Sequence, residues 1–122
     1  MTREEQRILD QVRAHLAPQE FKKALVYLDD TPRHAGDRVA VADAVIEVPW
    51  DARIAFVDLE PGVNWGHACR YLAVRLEGDG VVAVRAQMPP FLKAGATRFR
   101  FLWRGPDAPE WAIEGESSNG QR

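Results

Sequence analysis

With 122 residues, 46% of them hydrophobic and 28% charged, the chain has room for one ordinary globular domain and reads as neither disordered nor fibrous. A single cysteine, Cys69, excludes an internal disulfide. A net charge of −2 and a pI near 5.9 argue against a dedicated nucleic-acid binder.

The polar start, Met1 to Arg7, lacks the apolar stretch of a secretory signal. No apolar run approaches the ~18 residues that suggest a membrane span. A cytoplasmic protein that does not engage a membrane is therefore expected. Arginine far outnumbers lysine, which fits a GC-rich bacterial genome. Charge is unevenly spread: residues 1–66 carry an acidic excess, residues 67–104 a basic one, and the remainder is acidic again.

Thr2 and Glu5 have the spacing of a helix capping box, and Ile8, Leu9, Val12 and Leu16 follow on one helical face. Pro18 stops that helix or opens another. Phe21, Ala24, Leu25 and Leu28 repeat the helical spacing, although Leu25 to Leu28 also suits a strand. Asp29 to Asp37 is loop, punctuated by Pro32 and Gly36.

From residue 38 the pattern turns to β. Val39 to Val48 is read as one run ending at Pro49, and Arg53 to Leu59 as a second, ended by Pro61-Gly62. Residues 68–77 and Val82 to Met88 alternate around Gly78-Asp79-Gly80, which is the strongest hairpin signal in the chain. Met88-Pro89-Pro90-Phe91-Leu92 forms an apolar tip, either packed or exposed for docking. Thr97 to Arg104 alternates again, placing Phe99, Phe101 and Trp103 inward and Arg98, Arg100 and Arg104 outward. Trp111 to Glu114 is expected as a last short strand. The expected fold is α+β, mostly antiparallel β: a sandwich or barrel-like meander of about five to seven strands behind one or two short N-terminal helices. One domain over 1–115 and a flexible tail over 116–122 are expected.

The densest chemistry lies in Asn64, Trp65, His67, Cys69, Arg70 and Tyr71, at a loop-to-strand junction. A nucleophilic Cys69 with His67 as base is the obvious catalytic reading. Strand neighbours two apart stand roughly 6–7 Å from each other, whereas nucleophile and base must approach to about 3 Å. Such a Cys69 needs His15, His34 or a bend at Gly66. A buried thiol is the plainer expectation. A metal held by His67 and Cys69 needs Asp58, Glu60, His34 or His15 to complete it and lacks the usual zinc spacing. No metal and no cofactor is therefore assigned.

Arg70, Arg75, Arg85, Arg98, Arg100 and Arg104 form a basic stripe if their strands adjoin, and are otherwise a solvated face. Trp103 reads as core, and Trp65 as the recognition candidate. Phosphate loops, serine elbows and zinc-protease motifs are absent.

Trp65-Gly66-His67, Tyr71-Leu72 and Gly78 to Val82 resemble the histidine strand and hairpin of the NlpC/P60 cysteine peptidases, over about one-sixth of the chain. That family carries its cysteine on a helix before the histidine strand. No cysteine precedes His67 here, so the resemblance implies no activity.

The expected function is a non-catalytic interaction or ligand-binding module. Its binding residues are Asn64, Trp65, His67, Arg70, Tyr71, Arg98 and Arg100, and its partner is a protein or a small ligand. A small enzyme using His67 and Cys69 is the alternative, and nucleic-acid or phosphate binding through the arginine face the second. A homodimer paired at a sheet edge is compatible with the pattern.

Overall fold

Helix α1 (Arg3–His15) begins at the capping box expected of it. The Glu5 amide donates to Thr2 Oγ1 at 3.0 Å, and the Thr2 amide to Glu5 Oε1 at 2.8 Å. Two first-turn donors are thereby satisfied. Ile8, Leu9 and Val12 are buried against a sheet. A computed structural model describes residues 1–91 and 98–114, and among them no helix is long and apolar enough to cross a membrane.

Pro18 opens helix α2 (Pro18–Lys23), where its missing N–H costs nothing. The helical spacing at Phe21, Ala24, Leu25 and Leu28 resolves into that single turn and a half followed by strand β1 (Leu25–Asp29). β1 is buried throughout. A strand buried on both faces shows no alternation, so periodicity alone does not separate it from helix.

The run from Val39 to Val48 is two strands rather than one, β2 (Arg38–Val41) and β3 (Ala44–Glu47), paired as a hairpin. Its two-residue turn, Ala42-Asp43, holds Ala42 at φ 53°. Ala and Asp gave no strong turn signal, so the reversal was hidden. Next come β4 (Ala52–Asp58), β5 (Cys69–Arg75) and β6 (Val81–Ala86), the last two joined by the expected Gly78–Gly80 turn. β7 (Phe99–Arg104) follows. The segment from Trp111 to Glu114 is not a strand: Glu110–Ala112 forms one 3-10 turn. The expected tail over 116–122, together with Leu92 and Thr97, lies outside the described residues.

The main sheet runs β6-β5-β4-β1-β7, antiparallel throughout, and β2-β3 forms a separate pair. The architecture is therefore α+β and mostly β, with two apolar layers. Helix residues pack on one face with Val26, Leu28, Val57, Leu72 and Val74. The β2-β3 hairpin covers the other, with Tyr27, Ile54, Phe56 and Tyr71. On that second face Phe101, Tyr27, Phe56, Tyr71 and Val84 follow one another across all five strands. Pro89 is buried, and Phe91 packs on Tyr27 at 4.8 Å between ring centroids. The described part of the apolar tip is therefore packed inward.

β7 departs from simple alternation. Val26 pairs with Trp103 and Tyr27 with Phe101, so Leu102 is the extra residue of a bulge. The bulge moves Trp103 to the helix face, where it stacks on Phe21 at 4.0 Å. Phe99 and Phe101 remain on the other face. Trp103 is core as expected, but in the opposite layer from those two phenylalanines.

Candidate functional site

β4 ends at Asp58 and β5 begins at Cys69, and the segment between them is tied down along its length. His67 is buried, with Nε2 2.7 Å from Asp58 Oδ1 and Nδ1 3.0 Å from the Asn64 carbonyl oxygen. A carbonyl only accepts, so Nδ1 carries a proton. One further proton is shared between Nε2 and the Asp58 carboxyl, and the pair is net neutral whichever atom holds it. Burial pushes the Asp58 carboxyl above its ordinary range, against the pull of its bond to His67. Asp58 Oδ1 also accepts the Glu60 amide at 3.0 Å.

Further ties come from the Ala68 amide to Glu60 Oε1 at 3.1 Å and the Gly66 amide to the Gln87 carbonyl at 3.2 Å. Trp65 stacks on the His67 ring at 4.1 Å, so the expected recognition tryptophan is half-buried and supports the loop. Gly62 sits at φ 89°, and the tip of Trp111 lies directly over it. A side chain at position 62 would begin 2.8 Å from Trp111 Cη2. Trp111 is 74% exposed and Val63 54%, with Asn64 exposed beside them.

Cys69 and His67 do share a face, as their spacing requires, but they do not form a nucleophile and base. Both His67 nitrogens are engaged. The Cys69 thiol faces the Met88 carbonyl at 3.7 Å, and burial pushes its pKa up to about 12. Tyr71 is fully buried and donates its hydroxyl to the same carbonyl at 2.8 Å. Burial raises its pKa as well. His15 ends α1 on the opposite side of the sheet, and exposed His34 lies 3.6 Å from Asp51 at the other end of β4. Among the described residues no group of three or more His, Cys, Asp or Glu is arranged to hold a metal ion.

The arginines do not form one stripe. β7 and β5 are separated by β1 and β4, and the bulge turns Arg100 and Arg104 to different faces. Arg100 bonds Glu5 at 2.8 Å and also Asp30. Arg98 donates to Thr31, and Arg104 to the Ala108 carbonyl. Arg75 sits over the Trp50 ring at 5.8 Å. Arg70 bonds Glu20 of α2 at 3.0 Å. Arg85 pairs with Arg70 across β5 and β6, and its side chain forms no salt bridge or hydrogen bond among the described residues.

Beside that pair opens a cleft of about 610 Å³ between α2 and the ends of β5 and β6. Asp43, from the unforeseen hairpin turn, lines it and accepts the Gln87 and Met88 amides at 3.0 and 3.2 Å. Three residues therefore gain weight over the sequence reading. Asp58, expected only as a candidate metal ligand, carries one sequence signal: it is the acid that ends an apolar run nine residues before a histidine. Trp111 lies in a 3-10 turn rather than on the expected strand, and nothing local in the sequence marks Asp43. Comparison with protein families, curated proteins and solved structures finds no match to this chain.

Proposed function

We propose that this chain is a non-catalytic interaction module that binds a protein partner through loop 61–66 and the Trp111 side chain beside it. The observation that carries this reading is the pairing of a large exposed aromatic with a pinned loop. Trp111 is 74% exposed and rests on Gly62. The loop beneath it is held by the buried His67–Asp58 pair and the Asn64 carbonyl.

A preorganised surface loses little conformational entropy on binding. Tryptophan is the side chain most enriched among the residues that dominate interface energies. Val63 and Asn64 extend the surface with one apolar and one hydrogen-bonding group. The non-catalytic part of the reading rests on Cys69, whose thiol is buried and poorly ionised, and on His67, which has no nitrogen free to act as a base.

The test places a photoreactive amino acid at position 63 and irradiates the protein in extract of its source cells. One discrete adduct is expected, lost with Trp111→Ser and unchanged with a substitution at exposed Val45. An adduct of twice the chain mass would make the partner a second copy. Absence of any adduct, or an adduct indifferent to Trp111→Ser, overturns the reading.

A further inference from the structure

The cleft beside α2 has no part in the proposed protein interaction, and its chemistry points elsewhere. One row of side chains crosses the helix face of the sheet: Trp103, Val26, Val57, Arg70 and Arg85. α2 lies along this row. Phe21 stacks on Trp103, and Glu20 reaches Arg70. The helix has only six residues, and at the β6 edge Arg85 is left unmatched. Like charges directly opposite each other on neighbouring strands destabilise a sheet, and a single Glu20 answers two guanidinium groups.

Lys23, at the end of α2, and Arg85 both line the cleft. Neither side chain forms a salt bridge or hydrogen bond among the described residues, and Lys23 acts on Glu20 through its charge alone. Glu20, Asp43 and Glu60 line it too, so cations and carboxylates are balanced in number. They are not balanced in engagement. Glu20 accepts the Ala17 amide and Arg70, Asp43 accepts two backbone amides, and Glu60 accepts the Ala68 amide. These bonds engage both oxygens of Glu20 and of Asp43 but only one oxygen of Glu60. Among the charged side chains lining the cleft, the ones with no such bond at all are the cations Lys23 and Arg85.

From this arrangement we propose that the cleft is a ligand site for a small molecule bearing an oxyanion, a phosphate or a carboxylate. Arg85 is its principal contact, with Lys23 and the free edge of the Arg70 guanidinium as the others. The planar guanidinium matches either anion with two parallel hydrogen bonds. The cleft is open to solvent and leaves room for a small molecule around the anion. The bound anion supplies the second negative charge that the Arg70–Arg85 pair lacks.

The test follows backbone amide NMR signals of the ¹⁵N-labelled chain during titration with inorganic phosphate and, separately, with acetate, each at ionic strength matched with sodium chloride. Saturable shifts are expected at the amides of Arg70, Arg85 and Ala86. Arg85→Gln should weaken them on the order of tenfold, the loss of one charge-assisted bidentate contact. Arg85 is exposed on an edge strand, so the variant is expected to fold, and its unchanged remaining spectrum verifies this. A phosphate response stronger than that to acetate identifies a phosphorylated ligand, and the reverse a carboxylic acid. Shifts no larger than those from chloride, or unaffected by Arg85→Gln, overturn the proposal.

Discussion

His67 Nε2 meets Asp58 Oδ1 at 2.7 Å with both side chains almost wholly removed from solvent, joining the end of β4 to the start of β5 across a ten-residue loop. Asp58 is pulled in two directions there. Burial raises its pKa, and the bond to His67 lowers it.

Replacing His67 by alanine leaves Asp58 buried beside Glu114, whose own carboxyl is raised by burial and by Asp58. Loss of one partner from a buried pair costs about 3 kcal/mol. A carboxyl whose folded pKa exceeds its unfolded value binds more protons folded than unfolded, so stability falls as pH rises through that window. The deficit of His67→Ala relative to the parent is therefore expected to be largest at neutral pH and to shrink as Asp58 protonates. Urea denaturation at pH 7 and near pH 4.5 measures it, and an equal deficit at both would contradict the account.

The Cys69 thiol, with its pKa pushed up to about 12 by burial and then by Asp43 and Asp58, is expected to resist a thiol reagent at pH 8 until the chain unfolds. Labelling rates measured against urea should follow the unfolding curve. Rapid reaction in the folded protein, with a midpoint below the ordinary thiol range, would restore the enzyme reading.

Gly62 and Trp111 should be energetically coupled. Gly62→Ala introduces a Cβ at positive φ and 2.8 Å from the indole, for an expected cost of about 2 kcal/mol. Trp111→Ala alone should change stability by less than about 0.5 kcal/mol, because the ring is largely exposed. In the double variant the contact disappears, and about 1 kcal/mol of backbone strain remains. Additive costs in a double-mutant cycle would show that the ring does not rest on Gly62 in solution.

Glu20 lines the cleft that Glu60 and Ala68 also border. The Ala17 amide holds its carboxyl below the ordinary range, helped by Arg70 and opposed by burial. A lowered folded pKa contributes stability that is present above the unfolded value and is lost as pH falls through the folded one. Glu20→Gln keeps the acceptor but removes the charge, and should cost less than about 1 kcal/mol at pH 7. That difference from the parent should vanish below the carboxyl range, and a gap persisting at about pH 3 would refute the role given to the charge.

Several elements are determined locally. The capping box and the 3.6-residue spacing specify α1 because a helix satisfies its groups within its own segment. The β5-β6 hairpin is legible because Gly78-Asp79-Gly80 is a strong turn signal between two alternating runs. Cys69 as a buried thiol follows from residue type. Other features depend on neighbours distant in sequence. β1 became a central strand, rather than more helix, because β4 and β7 flank it. The Leu102 bulge, set by pairing with β1, moved Trp103 to the other layer and separated Arg100 from Arg104.

The site divides in the same way. Clustering of Asn64, Trp65 and His67 in one loop is a property of the sequence. Their roles are not, because Asp58, Gln87 and Trp111 reach that loop from elsewhere and decide which groups are consumed in holding it. The Arg70–Arg85 pair likewise exists only through the register of β5 on β6. Its imbalance appears only once α2 is seen to end short of Arg85. Local conformation follows from short-range sterics and hydrogen bonds, which the sequence carries directly. Whether a charged or aromatic side chain is spent on the fold or left for a ligand is a long-range balance that tertiary structure alone decides.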